Sequence, residues 1–510
     1  MNVRRYQKWA KSGLAIMLAG AMMVGTAASG GGMTAQAAET ESSDTVSTQK
    51  AVTSDAASLL FTEKHITSDL TLPTIGASGT TISWKSSNPS VLSNEGKVTR
   101  PKKGAADEEV TLKGTVKMGD YAKARKFAFV VLAESEMGPT KEFALDQVEL
   151  LDDYYLTAQN SDIEFLKKFD NDRLLSRFRE TAGLDTKKIA PYGGWEDGWL
   201  DGHSVGHYLT AIAQAVKATG NADLKEKSKQ LIKGLAECQN KLGTGFIFGA
   251  KIETEGYVEK QFDILEGKTT GKTWVPWYNM HKMLTGLVDT YKYTGNKQAL
   301  EVAKKLGDWI YNRVSKWDAG TQGRVLGTEY GGMNDCLYEL YLCTRDSKHL
   351  EAAHKFDEPN LYKTVAKGGK NCLNGKHANT TIPKFLGALK RYVVLEQTGE
   401  LTKDDEAYLT NVEKFFDIAV TRHAYITGGV SVMEHFRKDN NQDGTRTQTN
   451  CESCCAHNML KMAKELYKVT GDKKYADYYE TTLRNSIMGA VKSESGAAAY
   501  FIPMATGYFK

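Results

Sequence analysis

Nowhere beyond its first thirty-odd residues does this 510-residue chain carry a run of about 18 apolar residues, so nothing after that point reads as a membrane-spanning helix. An excess of either charge is also missing. The chain has 66 Lys and Arg against 62 Asp and Glu, and residues 1–37 hold four cations (Arg4, Arg5, Lys8, Lys11) and no acid. Without that segment the charges balance. No basic stripe remains that would track phosphates, which argues against a nucleic-acid partner. Cysteine is scarce and odd in number, at seven. A framework made only of disulfides would leave one over, so at least one thiol is expected to be free or metal-bound.

What is present begins with an export signal. The four cations precede the apolar run "GLAIMLAGAMMVGTAA", and Ala35-Gln36-Ala37 has the A-x-A form of a cleavage site. Residues 1–37 therefore read as a secretory signal peptide, and the protein is expected outside the cell or at its surface. Residues 38–52 are polar and without periodicity, and read as a flexible linker. Residues 53–134 alternate β-branched and polar positions between turn signals such as Ser87-Asn88-Pro89 and Asn94-Glu95-Gly96. This pattern predicts a small β-sandwich. Its core "SWKSSNPSVLSNEGKVT" resembles bacterial Ig-like modules, and no chemistry is assigned to it.

From residue 141 to 510 the pattern turns helical. Thr-Gly-Asn, Thr-Gly-Glu and Thr-Gly-Asp recur at 219–221, 294–296, 398–400 and 470–472, with a degenerate copy, Thr-Arg-Asp, at 344–346. In each, glycine suits a helix C-cap and the polar residue suits the cap of the next helix. The uneven spacing excludes a strict solenoid. About twelve helices, paired by these turns, predict a mainly α fold: an (α/α)6 barrel preceded by the small β-domain. The Thr-Gly turns would lie at one end of the barrel, and long loops at the other would build the site.

Those loops carry aromatic, carboxylate, amide and imidazole groups together. "WEDGWLDGHSVGH" contains His203 and His207, "TWVPWYNMH" contains Trp277 and His281, and "NGKHANTT" contains His377. Ring faces beside polar tips suit a sugar, so these five residues are candidate substrate contacts, with core packing the alternative for each. His203 and His207 have the H-x-x-x-H spacing that puts both rings on one helix face. They lack the glutamate of a zinc-protease helix and read as substrate or core residues before metal ligands.

Two further segments carry candidate chemistry. Glycosidic cleavage commonly uses a proton donor and a second group on the opposite face. Glu434, in "GGVSVMEHF" after a Gly-Gly turn, is placed to be that donor if partly buried. "TNCESCCAHNML" gathers Cys451, Glu452, Cys454 and Cys455. A helix starting near 453 would let these groups approach one point and would favour a thiolate at its N-terminus. Cys and Glu are both zinc donors; a disulfide to Cys336, Cys343 or Cys372 is the competing reading.

In order, "GGWEDGWLDGHSVGHYLTAIA", "NMHKMLTGLVDTY", "HANTTIPKFLGALKRY", "YITGGVSVMEHF", "CESCCAHNMLKMAKELY" and "AYFIPM" resemble the β-L-arabinofuranosidases of glycoside hydrolase families 127 and 146 across residues 141–510. The resemblance implies an (α/α)6 barrel and retaining release of terminal β-L-arabinofuranosyl residues from plant-type glycans. It implies a cysteine nucleophile held as a zinc thiolate, Glu434 as acid/base, Glu452 and Cys454 as zinc ligands, and His281 and His377 as sugar contacts. The family's nucleophile belongs to a separate Cys-Cys pair beyond the "YFIP" strand. That pair is not found here, so a C-terminally incomplete enzyme is expected. A non-catalytic carbohydrate-binding fragment or another α/α-barrel glycosidase or lyase are the alternatives.

Overall fold

The computed structural model describes residues 43–61, 65–67, 69–102, 105–133, 140–196, 198–250, 257–492 and 494–508. The expected signal peptide and the first five linker residues lie outside the described residues. The chain divides into two units: Met1–Thr99 with Glu109–Val130, and Arg100–Glu108 with Val131–Lys510.

The first unit opens with a helix, α1 (Ser43–Ser58), followed by β1 (His65–Ile66), β2 (Thr81–Ser86), β3 (Glu108–Met118) and β4 (Tyr121–Val131). The four strands form one sheet in the order β1-β4-β3-β2. β2 and β3 are antiparallel, with Ile82 opposite Val116. Alternation along β3 buries Val110, Leu112 and Val116, as period-two patterning requires. Ile82 and Val116 share a core with Val52, Ala56 and Leu59. That explains a departure from the sequence reading. Residues 43–52, expected as flexible linker, belong to α1, because Val52 and Ala56 stand four apart and are buried by the sheet. Among the described residues α1, rather than a second sheet, lies over that face.

The second unit is helical. It contains α2 (Asp153–Lys167), α3 (Asn171–Thr181), α4 (His203–Thr219), α5 (Ala222–Leu242), α6 (Lys260–Leu265), α7 (Pro276–Thr294), α8 (Lys297–Val314) and α9 (Ala319–Leu326). There follow α10 (Met333–Thr344), α11 (Ser347–His354), α12 (Pro359–Ala366), α13 (Ala378–Thr398), α14 (Glu406–His423), α15 (Ser453–Thr470) and α16 (Lys473–Thr482). The five anticipated turns join α4 to α5, α7 to α8, α10 to α11, α13 to α14 and α15 to α16. At each, a left-handed residue ends the first helix: Gly220 (φ 67°), Gly295 (φ 70°), Arg345 (φ 56°), Gly399 (φ 75°) and Gly471 (φ 68°). The degenerate copy thus keeps the backbone shape with Arg345, at a cost of about 1 kcal/mol. Asn221, Asn296, Asp346 and Asp472 cap the following helices through their side chains.

Helices α4, α7, α10, α13 and α15 pack in that order around an axis, and their partners lie outside. α2 packs on α4 and α3 on α5, which makes a sixth pair. After α16, Arg484 donates to the Tyr155 hydroxyl of α2 at 3.0 Å and brings the two ends of the ring together. The fold is an α/α barrel. Two glycines set the tightest crossing: a Cβ on Gly206 would lie 2.0 Å from the Lys282 carbonyl oxygen, and one on Gly286 would lie 2.5 Å from that of Gly206. Along the axis runs a lumen of about 380 Å³. Several of its charges are paired: Lys390 with Glu339 (2.7 Å) and Glu465 (3.6 Å), and Lys461 with Asp335 (3.0 Å).

Candidate active site

The N-termini of five axial helices converge at the end of the barrel opposite the Thr-Gly turns, and their aligned dipoles favour negative charge there. Glu452 is the N-cap of α15 and His377 the N-cap of α13. Glu434 reaches them from a hairpin. Val432 and His435 exchange backbone hydrogen bonds (3.0 and 3.1 Å) across a two-residue loop, Met433-Glu434. Both loop residues have positive φ, 46° and 64°. Such loops usually carry Asn-Gly, so two bulky residues here hold strain that the surroundings must impose. Two bonds do so: Met433 N–H donates to the Thr449 carbonyl (2.8 Å), and the Glu434 carbonyl accepts from Ala378 N–H at the start of α13 (2.6 Å).

The Glu434 side chain, about a third exposed, is gripped from two sides. His377 Nδ1 accepts from the Thr380 backbone N–H at 3.1 Å, which leaves the proton on Nε2, 3.2 Å from Glu434 Oε2. The Tyr500 hydroxyl lies 2.6 Å from Glu434 Oε1 and 3.1 Å from Glu452 Oε1. A phenol has one hydrogen to give, so both contacts are full hydrogen bonds only when one carboxyl brings a proton of its own. Burial pushes Glu452 upward, thiol hydrogen bonds from Cys455 and Cys454 oppose it, and the charge of Glu434 adds to the rise. Glu452 is thus the carboxyl better placed to hold a proton, one hydroxyl away from Glu434.

Cys455 donates to Glu452 Oε2 at 3.2 Å and is fully buried. Burial, and then Glu452, push the Cys454 thiol up to about 12, with Lys282 pulling the other way. The helix N-terminus alone thus does not make the thiolate that the sequence suggested. All seven cysteines are free, so the disulfide alternative does not hold. Glu452 and Cys454 offer donors of the kind zinc takes. Among the described residues, however, the one set of three such groups within 4.8 Å of one another is Asp308, Asp346 and His349, on the other side of the hairpins. There the Lys348 ammonium, 3.4 Å from Asp308, already supplies a cation. The chemistry at Glu452 and Cys454 fits zinc as two donors of a tetrahedral four.

Opposite lies the α4–α7 wall. Glu196 caps α4 by accepting from Gly202 N–H (2.8 Å) and Ser204 N–H (2.9 Å), and it meets His203 Nδ1 at 2.9 Å. The His203 ring lies 6.1 Å from that of Tyr278. Burial drives the Tyr278 phenol upward, and the charges of Cys454, Glu329, Glu452 and Glu434 push the same way. Lys282 stacks over Tyr278 at 4.6 Å, and burial pulls its ammonium down to about 8. His281 is buried, and its Nδ1 accepts from Gly332 N–H at 3.0 Å, which ties α7 to the start of α10.

The structure thus gathers Glu434, His377, Glu452 and Cys454 at one point, with His203 and His281 on the facing wall. One candidate sits elsewhere. Trp277 has no exposed surface; it packs against Phe262, Trp309, Trp317 and Phe356. The second residue of α7, it is buried in the core and does not reach a sugar beside Glu434. His207, its ring 6.0 Å from that of His203, lines the lumen beside Lys282, His457 and Lys461, as His281 does. Sequence reasoning missed Tyr500 and Lys282. Tyr500 reaches the site because Ser453 N–H pairs with its carbonyl at 2.9 Å, a contact across 47 residues with no local signal.

An α/α barrel that gathers carboxylates, imidazoles and aromatic rings at the helix N-terminal end is a carbohydrate-enzyme scaffold. Residues 147–510 match the profile of the β-L-arabinofuranosidase GH127 catalytic domain, and the chain belongs to that family. Residues 42–134 match an atrophied bacterial Ig domain. Among solved structures, a GH127 β-arabinofuranosidase is 18% identical with a TM-score of 0.52, over 72% of this chain and 57% of its own. A GH127 β-L-arabinofuranosidase from Geobacillus stearothermophilus T6 is 16% identical with a TM-score of 0.51, over 70% of this chain and 58% of its own. The chain therefore spans less than two thirds of either structure's length, and the likeness is one of fold. No curated protein matches. No helix among the described residues is long and apolar enough to cross a membrane.

Proposed function

We propose that this chain serves as a secreted glycoside hydrolase of the β-L-arabinofuranosidase type, releasing terminal β-L-arabinofuranosyl residues from plant-type glycans with retention. The observation that carries the reading is the placement of Glu434. Its carboxyl, about a third exposed, is carried on a strained hairpin and oriented by His377 Nε2 and by the hydroxyl it shares with Glu452. Glu434 gives a proton to the leaving oxygen as a nucleophile takes its place at the anomeric carbon, and later takes a proton from the water that displaces that nucleophile. His377 and His281 bind hydroxyls of the pentose, and His203 does so from the α4 side. Glu452 and Cys454 are the residues that would hold zinc, which when bound keeps a cysteine sulfur ionised at neutral pH.

The test is turnover of an aryl β-L-arabinofuranoside with zinc and a reductant present, with the anomer of the first product read by NMR. Glu434→Gln is expected to lower kcat by about 10²-fold or more while leaving the fold intact. Unchanged turnover in that variant would remove the acid/base assignment. One observation favours a second reading, a carbohydrate-binding protein without turnover: among the described residues Glu452 and Cys454 belong to no set of three donors that all lie within 4.8 Å of one another. Sugar binding without hydrolysis would select it.

A further inference from the structure

Trp277 was the indole expected at the sugar, and it lies in the core. The exposed indoles of the helical unit are two others. Trp195 is 59% exposed and Trp274 49%, whereas Trp277, Trp309 and Trp317 are buried. Both exposed rings sit on segments that lead into the N-termini of axial helices, Trp195 ahead of α4 and Trp274 ahead of α7. Trp195 lies in the short 3-10 turn Gly194–Glu196, whose Glu196 holds His203. Trp274 precedes α7 and stands four residues before Tyr278, so the two cannot be more than about 14 Å apart. The loops are tied together: Asn279 of α7 donates to the Trp199 carbonyl at 3.0 Å. His203 and Tyr278, in the first turns of α4 and α7, have ring centroids 6.1 Å apart. Two indoles exposed ahead of neighbouring helix N-termini offer aromatic surface that a ligand bound there can cover. An indole face suits the C–H face of a sugar ring.

We propose that Trp195 and Trp274 form an aromatic rim that stacks on the sugar next to the terminal arabinofuranose, so that the preferred ligand is an arabinofuranosyl-capped oligosaccharide and not a simple glycoside. This rests on the reading of the Glu434 pocket as a sugar site. The pocket holds the terminal pentose by polar contacts. The rim adds affinity through stacking and selects for chain length without touching the reacting atoms.

The experiment is calorimetric titration of the full chain with methyl β-L-arabinofuranoside and with a β-L-arabinofuranosyl-terminated trisaccharide. Wild type, Trp195→Ala, Trp274→Ala, Trp274→Phe and His377→Ala are compared, with melting curves for each. Wild type is expected to bind the trisaccharide at least about tenfold more tightly than the methyl glycoside. Each alanine variant should lose most of that gain at unchanged methyl glycoside affinity and unchanged melting, and Trp274→Phe should keep much of it. The rim is overturned if the trisaccharide binds no better than the methyl glycoside, if the alanine variants bind it like wild type, or if they weaken both ligands equally. If His377→Ala leaves methyl glycoside binding untouched while the tryptophan variants behave as expected, the pocket reading falls and the rim stands. Failure of wild type to bind either sugar overturns both.

Discussion

Gly206→Ala tests the crossing that sets the site's width. A Cβ there would lie 2.0 Å from the Lys282 carbonyl oxygen, 2.2 Å from its carbon and 2.7 Å from the Met283 nitrogen. All three are backbone atoms in the middle of α7, so no side chain can swing aside. Relief requires α4 and α7 to separate by roughly 1 Å in a core packed like a crystal. Overpacking of this kind costs about 1–3 kcal/mol and sometimes more. Alanine regains up to about 1 kcal/mol over glycine in a helix interior. The net expectation is a loss of about 2 kcal/mol and a melting midpoint lower by roughly 5 °C. The same shift moves His203 against Tyr278, so sugar binding should weaken too. Gly323→Ala in α9 is the control: nothing lies within 4 Å of its Cβ, and the variant should melt at or slightly above wild type. If Gly206→Ala melts as high as Gly323→Ala, the α4–α7 contact is not as close as the geometry requires, and the argument from it fails.

Other outcomes follow from the same contacts. Trp277→Ala should lose about 3–5 kcal/mol of stability by chemical denaturation, because it empties the centre of an aromatic cluster; a variant of wild-type stability with weakened sugar binding would return Trp277 to the site. Glu465 is raised by burial, but the cations Lys390, Lys468 and Lys464 outweigh that and hold it at about 2. Its folded value lies below its unfolded one, so its contribution, about 3 kcal/mol, is present above pH 4.5 and is lost as pH falls from 4.5 to 2. The stability gap between wild type and Glu465→Gln should therefore be widest near neutrality and close in that window; a gap independent of pH refutes the pairing. Alkylation in denaturant without reductant should label all seven thiols by mass spectrometry; fewer would mean that a disulfide exists after all.

Much of this architecture was legible in the chain because its signals are local. A Thr-Gly-Asn turn stops one helix and caps the next within four residues, so the hairpins at 219–221, 294–296 and 470–472 stand where the sequence placed them. The copy at 344–346 was legible even without glycine, because Asp346 still caps α11. Glu434 was marked by its Gly-Gly turn and apolar neighbours, and Glu452 by the helix that starts at the next residue. The linker was misread because α1 is stabilised by Val52 and Ala56 against a sheet that lies further along the chain.

By itself the sequence determined which segments are helices, where they turn, and that one end of the barrel carries the polar chemistry, since those follow from periodicity and capping over a few residues. Only the tertiary structure decided which ring faces inward. Trp274 and Trp277 differ by three positions, but Trp277 lies inside α7, where packing buries it, and Trp274 lies ahead of the helix and is left exposed. It also decided that Tyr500 joins Glu434 to Glu452, because the distance between those residues along the chain is closed by strand-like pairing that no local pattern encodes.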